Sequence, residues 1–249
     1  MSIFFRKLHR WLGLLMVVQI IAWMASGLYF SIFPIEEIRG EHLTKSSEPL
    51  EADGLSRMGS PAQVNRALDR HFGPDWELTS LSLVSKGDRM VWRIDGSVDG
   101  VAFRRLVLGD GTGVLPVLSA QEAAQVAQGW LLDANEPRAI EWLESASPGS
   151  EIRGRNFPVW KVSFDEPESL NLYLDPWTGE ILARRTTRWR VFDFFWMLHV
   201  MDFENRDDFN HPLLQVAALL GLLVALSGVI FWAITTTLFR KKRRERGTP

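Results

Sequence analysis

The chain has 249 residues, 46% of them hydrophobic and 23% charged, with a formal net charge of −2. It contains no cysteine, which excludes disulfides, thiolate catalysis, thiolate metal sites and covalent c-type haem attachment. Any folded domain is therefore held by its core alone.

The average composition hides two kinds of sequence. Residues 12–33 and 212–239 carry no charged side chain. At about 1.5 Å of helical rise per residue, each run can cross a hydrocarbon core of about 30 Å. The first run is too long for a cleaved signal peptide, and Phe30-Ser31-Ile32-Phe33 is a poor small-residue cleavage site, so it reads as a retained anchor. Residues 1–11 carry Arg6, Lys7 and Arg10 without an acid, and 240–246 carry six basic residues and only Glu245. Setting those flanks aside leaves 19 basic and 29 acidic residues between them. Positive residues stay on the cytoplasmic side. The expected topology is an N-terminal segment 1–11 and a basic tail 240–249 in the cytoplasm, with the middle periplasmic. Abutting a transmembrane run, the basic tail reads as a lipid-headgroup anchor and not as a nucleic-acid patch.

Residues 34–59 read as a linker, polar and without apolar period from 40 onward. Two similar units follow. The first, 60–118, opens at Ser60-Pro61, a cap followed by proline at the first helical position. Val64, Leu68 and Phe72 share a helix face, and strand-like runs follow at 78–84, 90–95 and 101–108, with a glycine turn over 109–113. The second, 119–186, opens at the capping box Ser119-Ala-Gln-Glu122. Its helix carries Ala123, Val126, Ala127, Trp130 and Leu131, its strand-like runs lie at 158–164 and 170–174, and Asp175-Pro-Trp-Thr-Gly179 is its turn. Val91-Trp92-Arg93-Ile94 matches Val159-Trp160-Lys161-Val162, and Thr112-Gly113 matches Thr178-Gly179 at nearly the same offset. The expected fold is α+β: a helix laid on an antiparallel sheet, built twice between two transmembrane helices. Over 187–211, Trp189, Phe192, Phe195, Trp196, His199 and Phe203 share one helical face, as expected of an amphipathic helix at the outer membrane interface.

The chain carries no Gly-x-Ser-x-Gly elbow, no His-Glu-x-x-His and no phosphate loop, and no catalytic residue or metal cluster is nominated. The acidic stretch Asp202–His211 reads as a hydrated loop. His42 and His71 read as surface residues. His9 sits among basic neighbours, where an interfacial histidine among headgroups is the alternative to a site. Ala217, Gly221, Ala225 and Gly228 form a small-residue ridge suited to helix association, within the chain, in a homodimer or with another membrane protein. Gln19, costly in lipid, is expected to face a helix.

Phe157-Pro-Val-Trp-Lys-Val-Ser-Phe164 with Leu172-Tyr-Leu-Asp-Pro-Trp-Thr-Gly-Glu-Ile-Leu182 resembles a PepSY domain. Lys7-Leu-His-Arg-Trp-Leu-Gly-Leu14, Met197-Leu-His199 and Ser227-Gly228-x-x-Phe-Trp232 resemble segments of PepSY-associated transmembrane proteins, many of which have four or more membrane helices where this chain has two. The resemblance implies a bacterial inner-membrane protein, an accessory in iron or redox-linked envelope metabolism. Relatives include membrane haem proteins that reduce ferric siderophores, and this nominates His9, His199 and His211 as ligands of a b-type haem. His9 and His211 lie at opposite ends of membrane helices, roughly 30 Å apart, and cannot share one iron within a chain. His199 and His211 share the outer side; a haem shared across a dimer or with a partner is also open. The rival readings are a non-catalytic periplasmic binding or protease-inhibitory module and a structural subunit of a membrane complex.

Overall fold

The computed structural model describes residues 3–46, 58–87, 89–133, 135–147 and 149–236. The basic tail at 240–249 and linker positions 47–57 lie outside them. In chain order the elements are α1 (Ile3–Ile32), α2 (Ile35–Ile38), a 3-10 turn (Glu41–Leu43), α3 (Pro61–Phe72), β1 (Trp76–Lys86), β2 (Arg89–Val98), β3 (Val101–Leu108) and β4 (Val114–Leu115). They continue with α4 (Ala120–Trp130), β5 (Ala139–Leu143), β6 (Val159–Ser163), β7 (Asn171–Leu174), β8 (Ile181–Arg185), α5 (Thr187–Val200) and α6 (Pro212–Thr235). They fall into two compact units. A sheet unit spans Ile35–Trp189, and a helical unit combines α1, α6 and α5 from Arg190 onward.

The sheet unit is α+β, as expected. It holds two four-stranded antiparallel sheets, ordered β1-β2-β3-β4 and β5-β6-β7-β8, each preceded by a helix. Both helices start where their caps put them. The Ser60 N–H donates to Gln63 Oε1 at 2.7 Å, and the Ser119 N–H donates to Glu122 Oε2 at 2.8 Å. Alternation along the strands sends successive side chains to opposite faces. On the helix-facing side of the first sheet, Ile94 and Val107 bury Val64, Ala67 and Leu68 of α3. On the second, Val162, Leu172 and Leu174 bury Ala127 and Leu131. Trp92 and Trp160 each occupy the second strand of their sheet and pack into that helix-side cluster. Their indole N–H groups donate to the carbonyls of Gly109 and Leu118, at 3.1 and 2.9 Å.

The reverse faces are also covered. Ile152, Val159, Tyr173 and Ala183 form one cluster behind the second sheet. Behind the first, Val91 and Leu106 bury Trp177, which comes from the turn after β7. In that turn Asp175 Oδ1 accepts the N–H groups of Trp177 and Thr178, each at 2.9 Å, and Gly179 adopts φ +79°. Lys86 Nζ donates to the Trp177 carbonyl, and Ser85 Oγ to Glu180 at 3.0 Å, so the turn is pinned to β1.

The two ends of the sheet unit are clasped together. Arg188 pairs with Glu37 and, at 3.2 Å, with Glu168. Thr44 bridges to Leu131 and accepts from Arg184 Nε at 2.7 Å. Arg185 lies 4.0 Å over the Trp189 ring, and desolvation by its neighbours lowers its pKa to about 10.

The helical unit contains two helices long and apolar enough to cross a membrane, over Arg6–Ile32 and Pro212–Ala233. At thirty residues, α1 runs about 45 Å, longer than the hydrocarbon core requires. Its C-terminal turns carry Tyr29 and Phe30, which receive aromatic residues of α5: Tyr29 meets Phe195 at 5.3 Å, and Phe30 meets Phe192 at 4.8 Å and Trp196 at 6.0 Å. Phe192, Phe195, Trp196 and His199 of the expected face therefore pack on α1, whereas Phe203 lies beyond the end of α5 and is exposed; Val191 and Phe194 are the exposed large residues of the helix itself. Of the small-residue ridge, Ala217 is buried, while a Cβ at Gly221 would meet Trp23 and Met16 and one at Gly228 would meet His9. These positions serve the contact between α1 and α6 inside the chain; Ala225 is exposed.

Candidate functional site

The end of α5 leaves orphan backbone carbonyls, as every helix C-terminus does. Two are satisfied by α1. Gln19 Nε2 donates to Leu198 O at 3.0 Å, and Trp23 Nε1 donates to His199 O at 2.8 Å. Gln19 thus faces protein inside its apolar helix. The same contact aims the His199 ring at α1, where its Nδ1 lies 2.7 Å from Ser26 Oγ and its face meets Phe30 at 5.7 Å.

The other end of α1 repeats the arrangement. His9 Nδ1 lies 2.7 Å from Ser227 Oγ on α6, and the His9 ring stacks parallel to Phe231 at 6.5 Å. Gly228 lies against the ring, and a Cβ there would stand 3.5 Å from His9 Cε1, an ordinary van der Waals contact.

The two serines fix what the rings can do. A hydroxyl has one proton. Ser26 directs its own to Trp23 O at 3.1 Å, and Ser227 to Val224 O at 2.9 Å. With the hydroxyl proton so directed, each serine oxygen accepts from the imidazole, an arrangement in which each histidine Nδ1 bears the N–H. This tautomer, assigned from the hydrogen-bond network, leaves Nε2 with its lone pair. Neither Nε2 has a protein hydrogen-bond partner among the described residues.

His211 is placed differently. It N-caps α6 ahead of Pro212, and its Nδ1 is buried without a hydrogen-bond partner among the described residues. No hydrogen bond or ring contact joins it to His199 there. Between them Asp202, only 4% exposed, organises the loop. Burial opposes its charge, but it accepts the N–H groups of Asp208, Asn205, Asp207 and Glu204 at 3.1–3.2 Å, and together these hold its pKa below the usual carboxylate value. Among the described residues no three histidine or carboxylate side chains converge as a metal site.

Sequence reasoning nominated the histidines, noted Ser26 beside Gln19 and Trp23 and Ser227 in a family-like segment, and did not pair either serine with a histidine. The available signal was a Ser-Gly pair, Ser26-Gly27 and Ser227-Gly228, in each otherwise apolar helix. A family model, the PepSY-associated TM region, matches residues 6–248, nearly the whole chain. The chain belongs to the PepSY-associated transmembrane family. No curated protein and no solved structure matches it. As a PepSY-associated membrane protein, it pairs His9 with Ser227 and His199 with Ser26 at two levels of α1.

The residues fit a b-type haem in one respect that the structure shows. A metal-binding imidazole donates its second N–H to an acceptor and presents the other nitrogen, and with the N–H on Nδ1 the contacts to Ser227 and Ser26 hold His9 and His199 that way. From His9 to Ser26 the helix rises about 25 Å, so the two rings stand at separate levels and do not share an iron within the chain.

The sheet unit offers a different kind of site. An open groove of about 870 Å³ is lined by Phe72, Phe103, Arg104, Trp142, Phe157 and Trp177, among others. Arg104 is already paired with Asp95 at 2.6 Å and stacked over Trp177 at 5.5 Å.

Proposed function

We propose that this protein is an accessory of iron or redox-linked envelope metabolism in a bacterial inner membrane, holding b-type haem through His9 and His199, with His211 a further ligand candidate on the outer side. The observation that carries the reading is the repeated serine–histidine pair, which leaves two Nε2 lone pairs open, one at each end of α1. When bound, haem supplies one-electron chemistry. The chain's residues orient the rings: Ser26 and Ser227 set the tautomer, Phe30 and Phe231 flank the imidazoles, and Gln19 and Trp23 fix the end of α5. The basic flanks support a topology with both ends in the cytoplasm and the sheet unit in the periplasm. The like order of helix and four strands, with Trp92 and Trp160 in like places, supports a duplicated PepSY-like domain. The test is an absorption spectrum of the purified protein supplied with haem. A Soret band that weakens in both His9→Ala and His199→Ala is expected; a folded protein that stays colourless sinks the reading.

The groove favours a second reading, a binding module whose ligand presents flat apolar surface to Phe103 and Trp142. A Trp142→Ala variant that loses periplasmic ligand capture while a colourless wild type retains it would favour this reading over haem.

A further inference from the structure

We infer that a second copy of this chain completes the site at His9, placing two symmetry-related imidazoles on one haem. The inference rests on the haem reading and adds the partner to it. Of the five histidines, His42 and His71 belong to the sheet unit, while His199 and His211 lie toward the opposite end of the helical unit. Cysteine is absent from the chain. At the level of His9, α6 supplies Ser227, Gly228 and Phe231, none of them a strong metal ligand. His9 alone therefore fills one axial position. A two-fold axis along the membrane normal brings each residue on it against its own copy, so a symmetric dimer supplies the second imidazole without any new residue.

Gly13 adds an independent observation. It lies one turn beyond His9 on the same face of α1, and a Cβ there would meet nothing within 4 Å. The chain itself leaves room there for an alanine Cβ, yet glycine disfavours a helix by about 1 kcal/mol relative to alanine. A second copy gives it a use, since small residues let a second helix or a flat ligand approach the backbone.

The experiment uses the full chain in lipid nanodiscs loaded with haem. Measured together are haem per chain, particle mass, the spin state of the ferric haem, and cross-linking of Gly13→Cys, which is clean because the wild type has no thiol. A dimer is expected, with one His9-dependent low-spin haem per two chains and a Gly13→Cys cross-link. In particles pairing one wild-type and one His9→Asn chain, that haem should turn high-spin; His9→Asn is chosen because its amide nitrogen stands where Nδ1 was and retains a donor for Ser227. A monomeric particle that keeps a His9-dependent low-spin haem overturns the second copy and leaves the haem reading standing. A protein that takes up no haem, although Gly13→Cys cross-links, overturns both.

Discussion

Ser26 stands between two groups of different helices, 2.7 Å from His199 Nδ1 and 3.1 Å from the carbonyl of Trp23. It is fully buried, so water does not replace it as the acceptor. Replacing it with alanine leaves the His199 N–H without a partner, at a typical cost of about 1–3 kcal/mol. Nitrogen-15 spectra of labelled histidine should show His199 as the Nδ1–H tautomer in the wild type and a shift toward Nε2–H in Ser26→Ala. An unchanged tautomer in that variant would refute the assigned role.

Trp177 is the second test, because it is a turn residue that fills the back of a sheet it does not belong to. Truncating a buried tryptophan costs about 3–5 kcal/mol. Trp177→Ala should lower the denaturation midpoint of the sheet unit by that order and expose Val91 and Leu106. A loss below about 1 kcal/mol would mean that the turn does not hold the first sheet.

Gly179 makes that turn possible. Its φ of +79° is strained for any residue with a side chain, and an added Cβ would lie 2.9 Å from Val126 Cγ1. Gly179→Ala should therefore destabilise the unit by about 1–3 kcal/mol, from the backbone and the clash together. Val126→Ala in the same chain should recover the steric part; no recovery would assign the whole effect to the backbone.

Asp202 predicts a pH response. Its folded pKa is held below the unfolded value of about 3.9, so its stabilising contribution is complete above that value and disappears as pH falls through the folded one. A carboxyl carbon titration should give Asp202 a midpoint below 3.9. Asp202→Asn should loosen the loop at neutral pH, because an amide can turn only its oxygen to one pair of N–H groups. A midpoint at or above 3.9 would contradict the four-donor cradle.

Much of this was legible in the residues. The two capping boxes, the alternation around Trp92 and Trp160 and the two charge-free runs announce elements that the structure contains. β5 was not legible: five residues at a sheet edge, with Ile140 and Trp142 exposed, make too short a pattern. Nor was the burial of Trp177, since a turn's sequence sets its backbone and not the surface it meets. The histidines stood out by type, but their serines are ordinary in apolar helices. Only the fold places Ser227 of α6 on His9 and Ser26 of α1 on His199.

The clasp of Arg188 on Glu37 and Glu168 gives the sheet unit a single doorway. A polypeptide that enters and leaves through one closed gate is a cassette: it can be cut out at its own threshold without leaving two distant stumps. Residues 35–189 should therefore be producible as a stand-alone, water-soluble piece, and a different cassette could be exchanged into the same gate without redesigning the membrane helices.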